Sequence, residues 1–230
     1  MMKTLKPVLA ALFLCAAFQA TAAPYPEHDV GRMVQPGHLD FSVADTLIED
    51  LSRHAGEYPV KFDRPADLQR AQKEAAMLIK LLDNVLEQGI IQRKDPHYPA
   101  MLHRLARLSW MAHNMDMRGY AAVADRRYRE LLAVSAPKKQ AALQSEYGGF
   151  LASSGQTDDA VAMLEKALKN GYAPAGRPLA LAYLAQGKTA QAKAELKRYV
   201  QKYPADTKAK MFLEAMEQGR VQVKQQPLKR

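Results

Sequence analysis

A helical pattern that repeats in the last part of the chain constrains the fold more than any other feature of the sequence. Two segments match each other at a constant offset of 32 residues. The matching positions are Tyr147, Gly148, Leu151, Gly155, Ala160 and Leu164 in the first segment, and Leu179, Ala180, Tyr183, Gly187, Ala192 and Leu196 in the second. A repeat of this length predicts helical hairpins that stack, because a single hairpin cannot bury its own apolar face.

Small residues stand where the two helices of each hairpin must touch. Gly148 is expected to let the first helix approach the second closely, and Ala160 to do the same from the second helix. Gly155 and Gly187 can adopt the left-handed backbone conformation that ends a helix. We therefore expect the first helix of each hairpin to end at these glycines.

This pattern resembles that of the tetratricopeptide repeat (TPR) family. Pro204 closes the last repeat. A weaker copy of the pattern lies upstream, at Leu108, Met111, Ala112, Met115, Gly119, Ala124, Tyr128 and Leu131. The resemblance implies an all-α fold, with about three hairpins and a C-terminal capping helix over residues 105–218. Three features depart from the family pattern, namely Gln144 for the usual aromatic residue, Leu151 for the usual tyrosine, and a shortened repeat around residues 173–178.

Additional helices are predicted before the repeats. Within residues 23–64, the N-terminal arm (residues 24–37) has three prolines and two glycines, and residues 41–54 form a short amphipathic helix capped by Asp40 or Ser42. Residues 65–104 include a long helix with Asp63 as its expected cap. Its apolar residues share one face, at Leu68, Ala71, Ala75, Leu78, Leu82 and Val85. This face is expected to pack on a neighbouring helix, with a coiled-coil interface as the alternative.

Both ends of the chain are predicted to lie outside the fold. Two lysines, an apolar run at residues 7–18, and the small residues Ala20 and Ala22 are typical of a signal peptide over residues 1–22, cleaved after Ala22. This predicts export to the periplasm without a stable membrane anchor, since the run is short for a membrane span. Residues 219–230 are expected to be a disordered basic tail.

The only cysteine, Cys15, lies within this predicted signal. A lipoprotein acylated at Cys15 is the alternative, but Leu14 is bulky where such sites use a small residue. After cleavage the chain would have no disulfide and no thiol nucleophile.

The positive charge of the chain is concentrated near its C-terminus. Residues 160–230 have 14 Lys and Arg against 5 Asp and Glu, whereas residues 23–159 have 17 against 19. Such asymmetry is typical of a protein that meets an acidic partner or an anionic surface, although a solvated lysine-rich face explains it equally well. Export argues against nucleic acid as the partner.

No catalytic or cofactor-binding motif is present, so we expect neither enzymatic activity nor a cofactor. One cluster of potential Cu(I) ligands falls on a single predicted helix and its end, at Met101, His103, Met111, His113, Met115 and Met117. Packing is the favoured interpretation, because methionine often fills gaps in apolar cores. No metal site is therefore expected.

The family resemblance implies that a ligand would lie along the concave face of the first helices. The corresponding positions are His113, Asp116, Met117, Ser145, Gly149, Ala152, Arg177, Leu181 and Leu184. This face is small, apolar and nearly uncharged, which suits an apolar helix or an extended segment. The occupant is either another envelope protein or peptide, or the chain's own residues 24–54.

The sequence therefore predicts a non-enzymatic periplasmic scaffold or adaptor that mediates protein–protein interactions in cell-envelope assembly or secretion. Two alternatives remain open. One is a protein that binds a small ligand or copper with its Met/His-rich helix, and the other is a regulatory subunit of a cell-wall enzyme.

Overall fold

The computed structural model describes residues 8–13, 24–36 and 38–227, with side chains over 24–36 and 38–221. These residues form mainly α-helices, which confirms the all-α prediction. The helices are α1 (Phe41–Ala55), α2 (Pro65–Glu87), α3 (Tyr98–Asn114), α4 (Tyr120–Val134), α5 (Pro137–Ser153), α6 (Thr157–Lys169), α7 (Gly176–Ala185), α8 (Thr189–Lys202) and α9 (Thr207–Glu217). Two short antiparallel pairs join β1 (Val8–Phe13) to β4 (Gln222–Pro227) and β2 (Val34–Gln35) to β3 (His38–Leu39).

The chain divides into two compact units. Among the described residues, the N-terminal unit comprises 24–36 and 38–135 and contains α1 to α4, whereas the C-terminal unit comprises 8–13 and 136–227 and contains α5 to α9. The division falls inside the predicted repeat array. The weak first hairpin belongs to the N-terminal unit, and the two stronger hairpins belong to the C-terminal unit.

Capping residues set the starts of the first two helices. Asp40 caps α1 by accepting a 3.0 Å hydrogen bond from the backbone N–H of Ser42, and hydrogen bonds from Ser42 lower the pKa of this carboxyl group. At α2 the expectation differs from the structure. The capping position is Arg64 rather than Asp63, because the helix begins at Pro65. The carboxylate that meets this helix start is Asp67, which lies 2.9 Å from Arg64.

The apolar face of α2 packs as expected within the N-terminal unit. Five of its six predicted residues are at most 2% exposed, namely Ala71, Ala75, Leu78, Leu82 and Val85, whereas Leu68 is half-buried. The helix lies against α3. Packing on a neighbouring helix of the same chain therefore accounts for this face.

The first hairpin is formed by α3 and α4. Gly119 has a φ of 87°, and the residues that face each other from the two helices are buried, including Met111, Met115, Ala124 and Tyr128. Helix α3 begins at Tyr98, so the predicted repeat boundary at residue 105 falls inside a helix. The sequence pattern placed the start too late because the first two turns of α3 carry no repeat signature.

The C-terminal unit consists of two hairpins and a capping helix. Helices α5 and α6 form one hairpin, α7 and α8 form the next, and α9 packs on α8. Gly155 and Gly187 have φ values of 79° and 76°, which confirms their predicted role at the helix ends. The core of the last hairpin and the capping helix contains Ala180, Leu184, Ala192, Leu196, Ala209, Phe212 and Met216.

Gln144 occupies a position where the repeat family usually has an aromatic residue, and the structure explains the exchange. Its side chain is 4% exposed, and its Oε1 atom accepts a 2.9 Å hydrogen bond from Nδ2 of Asn170 at the end of α6. A buried amide is tolerated when it has such a partner. The hydrogen bond thus ties α5 to α6 in place of an aromatic contact.

The C-terminal tail differs from the expectation of disorder. Gln222–Pro227 forms strand β4 and pairs with Val8–Phe13, which lies within the predicted signal peptide. The strand partner of the tail is therefore a segment that cleavage after Ala22 would remove.

Candidate functional site

The nine predicted site residues are divided between the two units. Three lie in the N-terminal unit, namely His113, Asp116 and Met117, and six lie in the C-terminal unit, namely Ser145, Gly149, Ala152, Arg177, Leu181 and Leu184. Each group therefore has its own local setting.

In the C-terminal unit, three of the predicted residues are partly accessible and lack charge. Gly149 and Ala152 lie on α5 and are half-buried, and Leu181 lies on the neighbouring helix α7, where it is half-buried and packs in part against the core of the last hairpin and the capping helix. The backbone of β1 also runs beside α7. We call Gly149, Ala152 and Leu181 the candidate face. Gly149 and Ala152 are small enough for another segment to approach α5 closely, and the apolar atoms of Leu181 favour an apolar segment.

Two predicted residues are less accessible than expected. Leu184 is only 2% exposed and belongs to the core formed with α8 and α9, so its assignment to a partner-binding face is wrong. The capping helix α9 buries it, because Phe212 and Met216 fill the same core. Ser145 is 9% exposed and contributes little surface to the candidate face.

Arg177, another of the predicted face positions, lies near a carboxylate of its own chain. The pKa of Asp206 is lowered chiefly by a hydrogen bond from the backbone N–H of Ala209, with further contributions from Tyr199 and the positive charge of Arg177. Asp206 stands at the start of α9. Arg177 therefore contributes to the α8–α9 turn within the C-terminal unit.

In the N-terminal unit, Asp116 and Met117 form the end of α3. Asp116 has a φ of 61°, and its N–H donates to the carbonyl of His113 at 3.0 Å. The N–H of Met117 donates to the carbonyl of Ala112 at 3.1 Å. Asparagine and aspartate tolerate this left-handed conformation better than most residues. Asp116 thus takes the turn position that glycine holds in the other two hairpins.

The methionines of the proposed copper cluster are mainly core residues. Met101, Met111 and Met115 are at most 3% exposed, and the Met111 sulfur lies 3.6 Å from the hydroxyl of Ser52. Among the residues that the structure describes, no group of three or more His, Cys, Asp or Glu side chains could hold a metal ion. These contacts favour packing as the role of the methionines.

A buried polar cluster in the N-terminal unit was not predicted. Tyr25 and His28 of the N-terminal arm meet Asp50 of α1 and Glu74 of α2, and His28 lies 2.9 Å from Asp50 and 3.0 Å from Glu74. Burial, together with a 2.7 Å hydrogen bond to Glu74, raises the pKa of Tyr25. The available signal was Glu74 itself, a carboxylate placed among the inward-facing residues Ala71, Ala75 and Leu78.

Comparisons with known proteins agree with the hairpin architecture. Residues 151–216 match the family model for the tetratricopeptide repeat. The fold is similar to the crystal structure of a thermophilic TPR protein from Thermus thermophilus, with a TM-score of 0.51 and 18% sequence identity. That match covers 76% of this chain and 91% of the other. No curated protein matches the sequence.

The helices were also compared with the requirements for crossing a membrane. In the part of the chain that the structure describes, none of them is both long enough and apolar enough to do so.

Proposed function

We propose that this chain, whose residues 151–216 match the family model for the tetratricopeptide repeat, is a non-enzymatic scaffold of the cell envelope that holds another protein or peptide. Stacked helical repeats present extended surfaces that suit protein binding. The absence of catalytic motifs in the sequence agrees with a binding role.

The observation that carries this proposal is the candidate face of the C-terminal unit. Gly149 and Ala152 on α5 and Leu181 on α7 are half-buried and uncharged, on two helices that lie side by side. An apolar helix or extended segment of a partner can bury these atoms without leaving an unpaired charge. The presence of β1 beside α7 supports the extended alternative, because a segment of that kind already lies next to this helix.

The charge of the C-terminal unit favours a partner with acidic residues outside the bound segment. Lys197 and Lys202 of α8 are exposed. Exposed charges accelerate association, whereas buried apolar contacts slow dissociation. We therefore propose that α8, the basic helix that carries Lys197 and Lys202, makes the first contact with the partner, and that the candidate face then holds it.

The predicted signal peptide supports the assignment to the envelope. The proposal includes cleavage after Ala22 and release into the periplasm, in line with the signal-peptide pattern of residues 1–22. N-terminal sequencing of the protein recovered from a periplasmic fraction tests this part. A chain that begins at Ala23 supports it, and a full-length chain in the cytoplasmic fraction contradicts it without bearing on the binding face.

Site-specific photo-crosslinking in cells tests the binding face. A photo-reactive residue at Ala152 or at Leu181 should crosslink to the same protein. The matched control is Ala194, which is exposed on α8 and lies outside the candidate face. Equal labelling of that protein from Ala194, or labelling from neither test position, would contradict the proposal.

A partner identified in this way permits a kinetic test of the charge. Lys197→Glu and Lys202→Glu should slow association and reduce its dependence on salt concentration. Lys80→Glu, at an exposed position of α2, is the matched control. Unchanged association rates in both test variants would remove the basic helix from the proposal.

A further inference from the structure

Strand β4 of the C-terminal unit pairs with an apolar strand. Val8–Phe13 (β1) and Gln222–Pro227 (β4) run antiparallel and pair over their full length. The same strand β1 lies beside α7. The C-terminal unit therefore holds an extended segment through two neighbours, the backbone of β4 and the helix α7.

The end of α9 fixes the place where β4 begins. The backbone N–H of Arg220 donates to the carbonyl of Ala215 at 2.9 Å, and Gly219 has a φ of 66°. This is the Schellman arrangement that ends many helices. The next residue, Val221, packs against the core of the last hairpin. The strand therefore starts directly after a residue that is held by the fold.

The two strands differ in sequence, which divides recognition between the backbone and the side chains. Strand β1 reads VLAALF and has no polar residue, whereas β4 reads QVKQQP and is mostly polar. Backbone N–H and C=O groups pair in the same way whatever the side chains are, so β4 favours an extended conformation rather than a particular sequence. Helix α7 reads GRPLALAYLA and has one charged residue, so an apolar segment beside it buries apolar surface.

The N-terminal arm, which belongs to one of the two expected occupants of the concave face, is buried within its own unit. Tyr25, Val30 and Met33 are at most 5% exposed, and the segment Val30–Met33 contacts α1 and α2. The arm was expected to extend freely or to lie along the repeats, and in the structure it covers apolar surface of these two helices. Its apolar residues are therefore already used within the N-terminal unit.

Cleavage after Ala22 would remove β1 from its place on the C-terminal unit. The backbone groups of β4 and the surface of α7 would then lose this neighbour. An unpaired strand is a template for pairing with another chain. Lysine and proline on such a strand limit uncontrolled association, and β4 contains Lys224 and Pro227. The strand is thus suited to accept one added strand without aggregating.

We propose that the cleaved chain binds an extended, apolar segment of its partner as a strand added to β4, in the place that Val8–Phe13 occupies before cleavage. Backbone pairing with β4 holds the segment extended, and α7 favours its apolar side chains. In the uncleaved chain, Val8–Phe13 blocks this place. The inference rests on the scaffold function proposed above and specifies the conformation and chemistry of the partner's segment.

Fluorescence anisotropy with a labelled peptide tests the proposal. The probe contains VLAALF between flanking serine and glycine residues, and the chain that begins at Ala23 should bind it. Deleting residues 222–230 should weaken binding by about tenfold or more, because several backbone hydrogen bonds are lost. Deleting only residues 228–230 keeps β4 and should leave binding unchanged. No binding to the chain that begins at Ala23, or equal binding by the two truncated chains, would overturn the proposal.

The full-length protein provides a second comparison that needs no truncation of the tail. Its own Val8–Phe13 competes with the probe at the high effective concentration of a tethered segment. The full-length protein should therefore bind the probe about tenfold more weakly, or less, than the chain that begins at Ala23. Equal binding by the two proteins would contradict the shared place.

Backbone methylation of the probe separates strand addition from general apolar binding. In an antiparallel strand, the N–H groups of alternate residues point to the same neighbour. Two probes of equal composition carry methyl groups on the two alternate sets of backbone nitrogens. The probe whose methylated nitrogens face β4 should lose binding, and the other should keep it. Equal affinities of the two probes would overturn the proposal.

The scaffold function and the strand addition fail in different ways. Photo-crosslinking from Ala152 and Leu181 reports on the scaffold function, whereas the probe reports on β4. A crosslinked partner combined with no binding of the probe would retain the scaffold and overturn the strand addition. Absence of both signals would contradict both proposals.

Discussion

Gly148 on α5 and Leu164 on α6 touch so closely that a Cβ atom on Gly148 would lie 2.6 Å from Cγ of Leu164. The same Cβ atom would lie 3.4 Å from the carbonyl oxygen of Ala160. The contact explains why a glycine, which weakens a helix interior, stands in the middle of α5. It fixes the spacing of the first hairpin in the C-terminal unit.

We expect Gly148→Ala to lower the free energy of unfolding by about 1–3 kcal/mol, because the added methyl group overpacks the contact. Alanine has the better helix propensity, so a gain in stability would contradict the close contact. Denaturant titration measures the change. In the double variant Gly148→Ala with Leu164→Ala, the two losses should be less than additive, since the second change makes room for the methyl group.

Ala192 should not tolerate a large residue. It is 0% exposed in the core between α8 and α9, so Ala192→Trp is expected to lower the free energy of unfolding by about 3 kcal/mol or more. Ala194→Trp, at an exposed position of the same helix, is the control and should have little effect. Equal melting temperatures of the two variants would show that the assignment of the helix faces is wrong.

Leu184 and Leu181 are expected to differ although both lie on α7. Leu184→Ala should lower the free energy of unfolding by about 2–5 kcal/mol, because it leaves a cavity in the core. Leu181→Ala should cost less, because this residue is only half-buried. Thermal unfolding of the two variants checks the order. The reverse order would remove Leu181 from the candidate face.

Asp206 should make the stability of the capping helix depend on pH. Its Oδ1 atom accepts a 3.0 Å hydrogen bond from the backbone N–H of Ala209, and this bond is the main cause of its lowered pKa. A lowered pKa stabilises the fold above the unfolded value of about 4, and this contribution is lost as the pH falls through the folded value.

Asp206→Ala should therefore cost about 1 kcal/mol at neutral pH. The difference between this variant and the unchanged protein should shrink as the pH falls below about 4. Unfolding curves recorded across this range test both statements. A difference that stays constant down to acidic pH would contradict the ionised cap.

The C-terminal tail should contribute little once the leader is removed. Strand β4 pairs with β1, so a chain that begins at Ala23 lacks this strand partner of Gln222–Pro227. Deleting residues 222–230 from that chain should change the free energy of unfolding by less than about 0.5 kcal/mol. Val221 is kept because it packs against the core of the last hairpin. A larger loss would mean that the tail binds elsewhere.

The local features of the fold could be predicted because they depend on neighbours within one or two helical turns. Gly155 and Gly187 mark the ends of helices, Asp40 caps α1, and the apolar stripe of α2 faces inwards. The starts of α2 and α3 differ from the prediction. At α2 the structure has Arg64 at the capping position, one residue after the expected Asp63.

The candidate site was harder to predict. The family positions assigned Leu184 to a surface, but α9 buries this residue. They also assigned Arg177 to ligand binding, although Asp206 of the same chain lies nearby. Both corrections depend on where a later segment of the chain packs. A repeat pattern describes each hairpin alone and contains no information about what covers the last one.

That the chain forms helical hairpins follows from its sequence, because periodicity, small contact residues and turn glycines act over short distances along the chain. Which surfaces remain accessible, and that the N-terminal arm belongs to a folded unit, depends on how distant segments pack. His28 meets Asp50 across 22 residues and Glu74 across 46 residues of sequence. Such contacts form only when distant helices pack together, and the burial that strengthens them is a property of the folded unit as a whole.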